Sequence, residues 1–227
     1  MWGAVDIHDS WLVLYASLAS RLRRKRFRHF RSLIATLPRP IRVLDVGGTE
    51  AFWEQMGFYG APGVEIVLLN RSKIPVTHSG FKSLVGDARN MGQFRDGEFD
   101  VVFSNSVIEH VGDYEDQRRM AQEIRRLSRR YYLQTPNRHF PIEPHFAFPF
   151  FQFLPVNARA WLVSHFDLGC YRRISSKKEA LRAVSAIRLL NRKEMLDLFP
   201  DGAIVQERLL GLTKSFTACR GWSDPIV

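Results

Sequence analysis

Three groups of residues in this chain have types and spacings that suit chemistry. The first lies in QTPNRHFPIEPHFAFPFFQFLP, residues 134–155, where His139, Glu143 and His145 can each accept a proton. Histidine suits that role because its ordinary pKa lies near neutrality. The second is VLDVGGTEAFW, residues 43–53, where an apolar run ends in Asp45, followed by Gly47 and Gly48. Glycines after a strand let the backbone turn sharply and let a ligand approach it closely. The third is FDVVFSNSVIEHV, residues 99–111, where another apolar run ends in Ser104, Asn105 and Ser106 before Glu109 and His110, which are expected to start the next helix. Each group also has a plainer reading. Turn residues, a packed histidine and a Pro- and Phe-rich cover over a sheet end need no ligand.

The elements that must position these groups follow from hydrophobic patterning. IRVLDVGG, VEIVLLN, FKSLVGDA, FDVVFSNS and YYLQTPN are short apolar runs without polar alternation. Such runs predict strands buried on both faces. Tyr114 to Ser128 is a charged amphipathic helix between the fourth and fifth runs. The interval after Ala88, with Gly92, Asp96 and Gly97, is expected to hold little helix. Strands alternating with helices predict an α/β, doubly wound, mostly parallel sheet. Near the end, Asn191 can cap a helix through Phe199 that groups Met195, Leu196 and Phe199. AIVQERLL and LTKSFTAC then form an antiparallel hairpin closed at Gly211. The Pro-rich stretch after the fifth run is expected to lack a regular helix.

Residues 1–40 read as an extension. Ser10 can cap a helix starting near Trp11, which continues into RLRRKRFRHFR. Leu22, Phe27, Phe30, Leu33 and Ile34 recur at helical spacing among Arg and Lys, and Pro38 and Pro40 close the element. Such a basic amphipathic helix can pack on the main domain, grip phosphates or lie on an anionic membrane, so residues 11–34 are a candidate peripheral membrane contact. The domain expected after it spans 41–227, with 138–180 as a substrate lid or insert.

Composition limits the class. At 227 residues, 45% hydrophobic and 25% charged, the chain is an ordinary globular protein. Two cysteines, Cys170 and Cys219, exclude a disulfide framework and fit a reducing, cytoplasmic setting. No apolar run approaches the roughly 20 residues that span a bilayer. The net charge is +10, from 26 Arg and 7 Lys against 23 acidic residues. That balance attracts nucleic acid, anionic lipid or phosphorylated small molecules.

The order of runs and their punctuating residues from Ile41 to Cys219 resembles the class I S-adenosylmethionine-dependent methyltransferases. The nearest group is type 11, which modifies metabolites, lipids and glycans. The resemblance implies a Rossmann-like, seven-stranded sheet with one antiparallel strand in the terminal hairpin, and S-adenosyl-L-methionine as cofactor. It places Asp45 near the cofactor's amino-acid end and Gly47, Gly48 and Thr49 in the adjoining turn. The family's second and third glycines are replaced by Thr49 and Ala51. Asn70 stands where the family has an acid that accepts from both ribose hydroxyls, and Arg71 can stack on adenine. Asp87 would accept from the adenine amino group and the Ala88 N–H would donate to the ring. Asn105 and Ser106 would border the crevice. With Ser106 in place of the first Glu of a metal-holding Glu-x-x-Glu-His pattern, no metal is expected.

Methyl transfer needs alignment, exclusion of water and, for a hydroxyl acceptor, a base. The expected reaction is therefore in-line transfer to an oxygen of a small-molecule, lipid or glycan-precursor acceptor, with His139, Glu143 or His145 as base. Two alternatives compete. The +10 charge suits an RNA methyltransferase, although no Asn-Pro-Pro-Tyr-like motif is present. Thr49, Ala51 and Asn70 suit a non-catalytic protein on a drifted scaffold. A dinucleotide oxidoreductase fits poorly, because the first turn lacks G-x-G-x-x-G.

Overall fold

The computed structural model describes residues 7–58 and 60–222, and of residues 7–16 it describes only the helix they belong to. The helices are α1 (Ile7–Ala35), α2 (Glu50–Gln55), α3 (Tyr114–Leu127), α4 (Val156–His165), α5 (Lys177–Ser185) and α6 (Arg192–Leu198). The strands are β1 (Ile41–Val46), β2 (Val64–Asn70), β3 (Phe81–Val85), β4 (Val101–Asn105), β5 (Tyr131–Pro136), β6 (Ile142–Glu143), β7 (Phe148–Pro149), β8 (Ala203–Leu209) and β9 (Leu212–Arg220). The contacts divide the chain into two compact units. One comprises residues 37–140 and 185–227, the other residues 1–36 and 141–184.

The larger unit is a seven-stranded sheet in the order β3-β2-β1-β4-β5-β9-β8. The first five strands are parallel, and β9 runs antiparallel to both β5 and β8. All five predicted runs are strands, and the terminal hairpin enters with β9 beside β5. Val43, Leu44 and Val46 of β1 and Ile66 to Leu69 of β2 are buried, as runs covered on both faces must be. In α3, Asp113 caps the first turn and Met120, Ala121, Ile124 and Leu127 face the core. No helix intervenes between β3 and β4.

Three local expectations change. α1 starts at Ile7, so Ser10 lies inside it rather than at its cap. Ile7, His8 and Asp9 include no Gly or Pro to stop the helix a turn later. Glu109 and His110 do not open α3. They form a separate 3-10 turn, Ile108–His110, broken from α3 by Gly112 at φ +134°. In α6, Leu196 is 40% exposed, and Leu198 joins Met195 and Phe199 in the core. Positions 195, 198 and 199 share a face at helical spacing, and 196 is rotated about 100° away.

In the smaller unit, β6 and β7 pair as a short antiparallel hairpin, followed by one 3-10 turn at Phe151–Phe153. The Pro-rich stretch thus has no α-helix before Val156. Phe27, Phe30, Leu33 and Ile34 of α1 are buried, so this part of the apolar stripe is used inside the protein. Arg21, Arg24, Lys25, Arg28 and Arg31 are exposed. The side chains of residues 11–16, part of the expected membrane contact, lie outside the described residues. No helix among the described residues is long and apolar enough to cross a membrane.

Candidate active site

The carboxyl ends of β1, β2 and β3 and the segment after β4 enclose a cavity of about 320 Å³. Small-molecule sites hold roughly 300–1,000 Å³, and open α/β sheets bind ligands at these strand ends. Gly47, Asn70, Arg71, Asp87 and Ala88, all expected from the sequence, come together in its wall. Asp45, Gly48, Thr49, Asn105 and Ser106 are not in that wall among the described residues. Instead they shape the turns that form it. Val107, His110 and Val111 supply the opposite side.

The first turn is built by close approach. Gly47 sits at φ +79°, and a Cβ there would overlap the Val107 side chain. A Cβ on Gly48 would overlap the Asp45 carboxylate. Asp45 is buried, and its Oδ2 accepts from Trp53 Nε1 at 2.6 Å. Its Oδ1 is buried without a hydrogen-bond partner. Burial pushes the carboxyl up from 3.8 to about 7, against the opposing pull of the Trp53 N–H. Thr49 caps α2 by accepting from the Phe52 N–H. Ala51, at the family's third glycine position, is exposed on α2.

Asn70 donates from Nδ2 to the Gly48 carbonyl at 2.8 Å, which ties the end of β2 to the glycine turn. That assignment leaves the amide oxygen as its acceptor in the cavity wall. Asp87 receives the Arg89 guanidinium at 2.9 and 2.6 Å and the Arg89 N–H at 2.9 Å. Arg89 holds the Asp87 carboxyl down, at about 2, despite partial burial, and Arg71 adds to this. Asp87 is therefore ionised at any physiological pH. Ser106 has a left-handed backbone, φ 56°, and its N–H and hydroxyl both donate to Gln134, at 2.9 and 3.0 Å. Asn105 ends β4 in register with Gln134. The Ser104 hydroxyl donates to the Val46 carbonyl at 3.1 Å, linking β4 to β1 below the turn.

Two anchors were not anticipated from the sequence. Arg89 is one, although Asp87 followed two residues later by a bonded N–H is a recognisable Asx turn. The other is Glu50, whose carboxylate accepts from the N–H groups of Thr77 and His78 at 2.8 and 2.7 Å. It holds the loop after β2 across a separation of 27 residues, and no local pattern announces it.

In the smaller unit, Glu143 and His145 form a pair. Glu143 is buried, and its Oε1 lies 2.7 Å from His145 Nδ1. Its Oε2 accepts the backbone N–H groups of His145 and Phe146, both at 2.8 Å. A carboxylate held this way fixes the imidazole's orientation and favours the Nδ1–H tautomer, which puts the basic lone pair on Nε2. Gly169 presses on the same backbone. At φ +54°, its Cβ would lie 2.5 Å from the His145 carbonyl oxygen. Phe146 stacks on Phe151 at 4.1 Å and on Tyr171 at 4.7 Å. His139, the third expected base, belongs to the other unit, where its backbone N–H donates to Asn137 Oδ1 at 3.0 Å.

Residues 44–130, which hold the whole cavity wall, match the family model described as a methyltransferase domain. That stretch of the chain is similar to the methyltransferase-domain family, whose fold the strand order displays. Among curated proteins, none matches the chain by sequence. Solved structures share the fold of the methyltransferase domain at low identity. The N-terminal domain of EvdMO1, crystallised with S-adenosylhomocysteine and D-fucose, is 15% identical over 87% of this chain and 82% of its own, with a TM-score of 0.51. The PH0226 protein of Pyrococcus horikoshii OT3 is 14% identical over 88% and 89%, with a TM-score of 0.50. The CurJ carbon methyltransferase is 11% identical over 83% of this chain and 51% of its own, also at 0.50.

Proposed function

We propose that this methyltransferase binds S-adenosylmethionine in the 320 Å³ cavity and methylates an oxygen of a small-molecule, lipid or glycan-precursor acceptor. The observation that carries the reading is the convergence of Gly47, Asn70, Asp87 and Ala88 on one cavity at the carboxyl ends of parallel strands. These residues suit the cofactor's parts. The Asn70 amide oxygen suits ribose hydroxyls, ionised Asp87 suits the adenine amino group, and the Ala88 N–H suits a ring nitrogen. The unpartnered Asp45 Oδ1, in a carboxyl poised near neutrality, suits the cofactor's ammonium, directly or through a water. When bound, S-adenosylmethionine supplies an electrophilic methyl on a sulfonium, so the leaving group needs no acid.

The chain's own tasks are then to hold the cofactor, exclude water and take a proton from the acceptor. Glu143 and His145 favour a hydroxyl acceptor. Their geometry orients the imidazole through Nδ1 and sets beside it a carboxylate that can stabilise the imidazolium once a proton has arrived. Glu143 acts on His145, and His145 acts on the acceptor. The Phe146–Phe151–Tyr171 stack supplies apolar surface beside that pair.

Calorimetric titration with S-adenosylmethionine and S-adenosylhomocysteine tests the cavity. Binding that Asp87→Ala and Asn70→Ala each weaken is expected. Absence of binding by either ligand would sink the reading. Transfer of labelled methyl to a panel of amphiphiles and glycans then tests the acceptor. Turnover that survives His145→Ala unchanged would remove the base assignment.

A further inference from the structure

The formal charge of the chain is divided unevenly. Residues 1–36 and 141–184 hold 13 Lys and Arg against 5 Asp and Glu, a net +8. The remainder, which holds the cavity, has 20 against 18, a net +2. The same small unit carries the exposed aromatic surface. Phe150, Phe153, Trp161 and Phe166 are each at least half exposed, and the aliphatic Val156 is exposed as well.

Of these, Phe166 lines a cleft of about 680 Å³ inside that unit. Its walls are Phe148, Leu162, Phe166 and Leu168, with His165, Asp167 and Arg173 at the polar edge. Trp161 stacks on His165 at 4.5 Å and meets Phe166 edge-on at 5.9 Å, so the aromatic rim is continuous with the cleft. The Asp167 carboxylate is taken up locally. It accepts from the Arg173 N–H at 2.6 Å and pairs with Arg172 at 3.3 Å. That leaves Arg173 to set the sign of the edge. On the preceding hairpin, Phe150 holds a left-handed backbone, φ 57°, while 58% of it is exposed. A bulky residue rarely adopts that conformation, and strain kept at a surface position is a mark of use.

We propose that the small unit docks on an anionic lipid bilayer through the exposed rings of Trp161 and Phe166, with one lipid chain entering the cleft and a headgroup phosphate at Arg173. The occupant follows from charge and chemistry together. A second copy of this chain would set +8 against +8. A polyanion without hydrocarbon would leave the Phe148, Leu162 and Leu168 walls exposed to water. An anionic bilayer satisfies both, because Trp and Phe rings settle at the headgroup boundary and Lys and Arg attract the acidic lipids. The contact lies in a different segment from the apolar stripe of α1, whose Phe27, Phe30, Leu33 and Ile34 are buried. The exposed basic residues of α1 add to the field of the same unit.

The test is flotation of the full chain with extruded vesicles, without cofactor or acceptor, so its outcome is independent of the proposed reaction. Binding is expected to phosphatidylcholine vesicles containing phosphatidylglycerol and to be absent with phosphatidylcholine alone. It should weaken as salt shortens the Debye length. Each Lys or Arg held at an anionic surface is worth roughly fivefold in partitioning, so Arg173→Glu should cost more than about tenfold. The pair Trp161→Ala with Phe166→Ala should abolish flotation while leaving thermal unfolding and S-adenosylhomocysteine binding as in the parent. Should that pair fail to fold, the loss of brominated-lipid quenching in Trp161→Phe, relative to the parent, reports the same contact. Equal binding to neutral vesicles, no binding to either, or a shift with an RNA oligomer in place of vesicle binding would each overturn the proposal.

Discussion

Replacing Asp45 with Asn removes a buried carboxyl while keeping its shape and an acceptor for Trp53. In the folded protein, burial lifts this carboxyl from 3.8 to about 7. The folded state therefore holds a proton that the unfolded chain has already released between those values. Stability falls as pH rises through that window, because the unfolded state binds fewer protons. It is retained in full below pH 3.8 and lost by about pH 7. At about 1.4 kcal/mol per pH unit, the full interval is worth roughly 4 kcal/mol, an upper bound for one group. The amide of the variant does not ionise and carries no such penalty. Urea unfolding of both proteins from about pH 5 to about pH 8 should show the variant gaining on the parent as pH rises, since all other titrations cancel in the difference. The ligand side has the opposite sign. If the cofactor's ammonium faces Asp45, binding draws off the proton, and parental affinity should tighten through about pH 7 while the variant's stays flat. A stability difference that does not change with pH would refute the reasoning, because it would mean that Asp45 is not a desolvated carboxyl.

Other changes have defined outcomes. Gly48→Ala should cost about 1–3 kcal/mol by driving a methyl into the Asp45 carboxylate. The double change with Asp45→Ala should recover most of that loss in a thermal-melt cycle, and strict additivity would contradict the contact. Asn70→Asp, although it installs the acid usual in the family, should not tighten S-adenosylhomocysteine binding by calorimetry. The new carboxylate would face the Gly48 carbonyl that Asn70 now bonds at 2.8 Å. His145→Gln should lower kcat by roughly 10²–10⁴ with little change in cofactor affinity. Glu143→Gln should lower kcat and also melt earlier, because an amide cannot accept from the imidazole and two backbone N–H groups at once. An unchanged melting temperature would show that those bonds are not what holds the loop.

The sheet was legible because its strands are uninterrupted apolar runs, and a run such as VEIVLLN has one stable home, between two covered faces. The α6 cap was legible because Asn191 and Glu194 form a local capping box. Reading failed where a single glycine decides the backbone. Gly112 separates Glu109 and His110 from α3, and nothing in the apolar spacing signals that break. It also failed where side chains reach across the chain. The pairing of Glu50 with residues 77 and 78 depends on how β2 and α2 lie, not on a motif. The Glu143–His145 pair stood between. Its residue types announced a base, but three candidates remained equivalent until the structure joined two of them at 2.7 Å and placed His139 in the other unit.

The departures from the family's glycine pattern bear on whether the site still works, and the structure gives each a local reason. A glycine is required where the backbone must turn left-handed or where a side chain would collide. Gly47 meets the first need at φ +79°, and Gly48 meets the second against Asp45. Thr49 has no such need. It begins α2, where a hydroxyl that accepts the Phe52 N–H is better than glycine by some tenths of a kcal/mol. Ala51 is exposed in the first turn of α2, where alanine favours the helix over glycine. Asn70 exchanges a charged acceptor for a bond to the Gly48 carbonyl, and so stiffens the turn that the two glycines loosen. Read singly, the three substitutions look like erosion of a binding site. Taken with their contacts, Thr49 and Asn70 support the turn at the end of β1, Ala51 suits the helix that follows, and the cavity keeps its acceptors at Asn70 and Asp87.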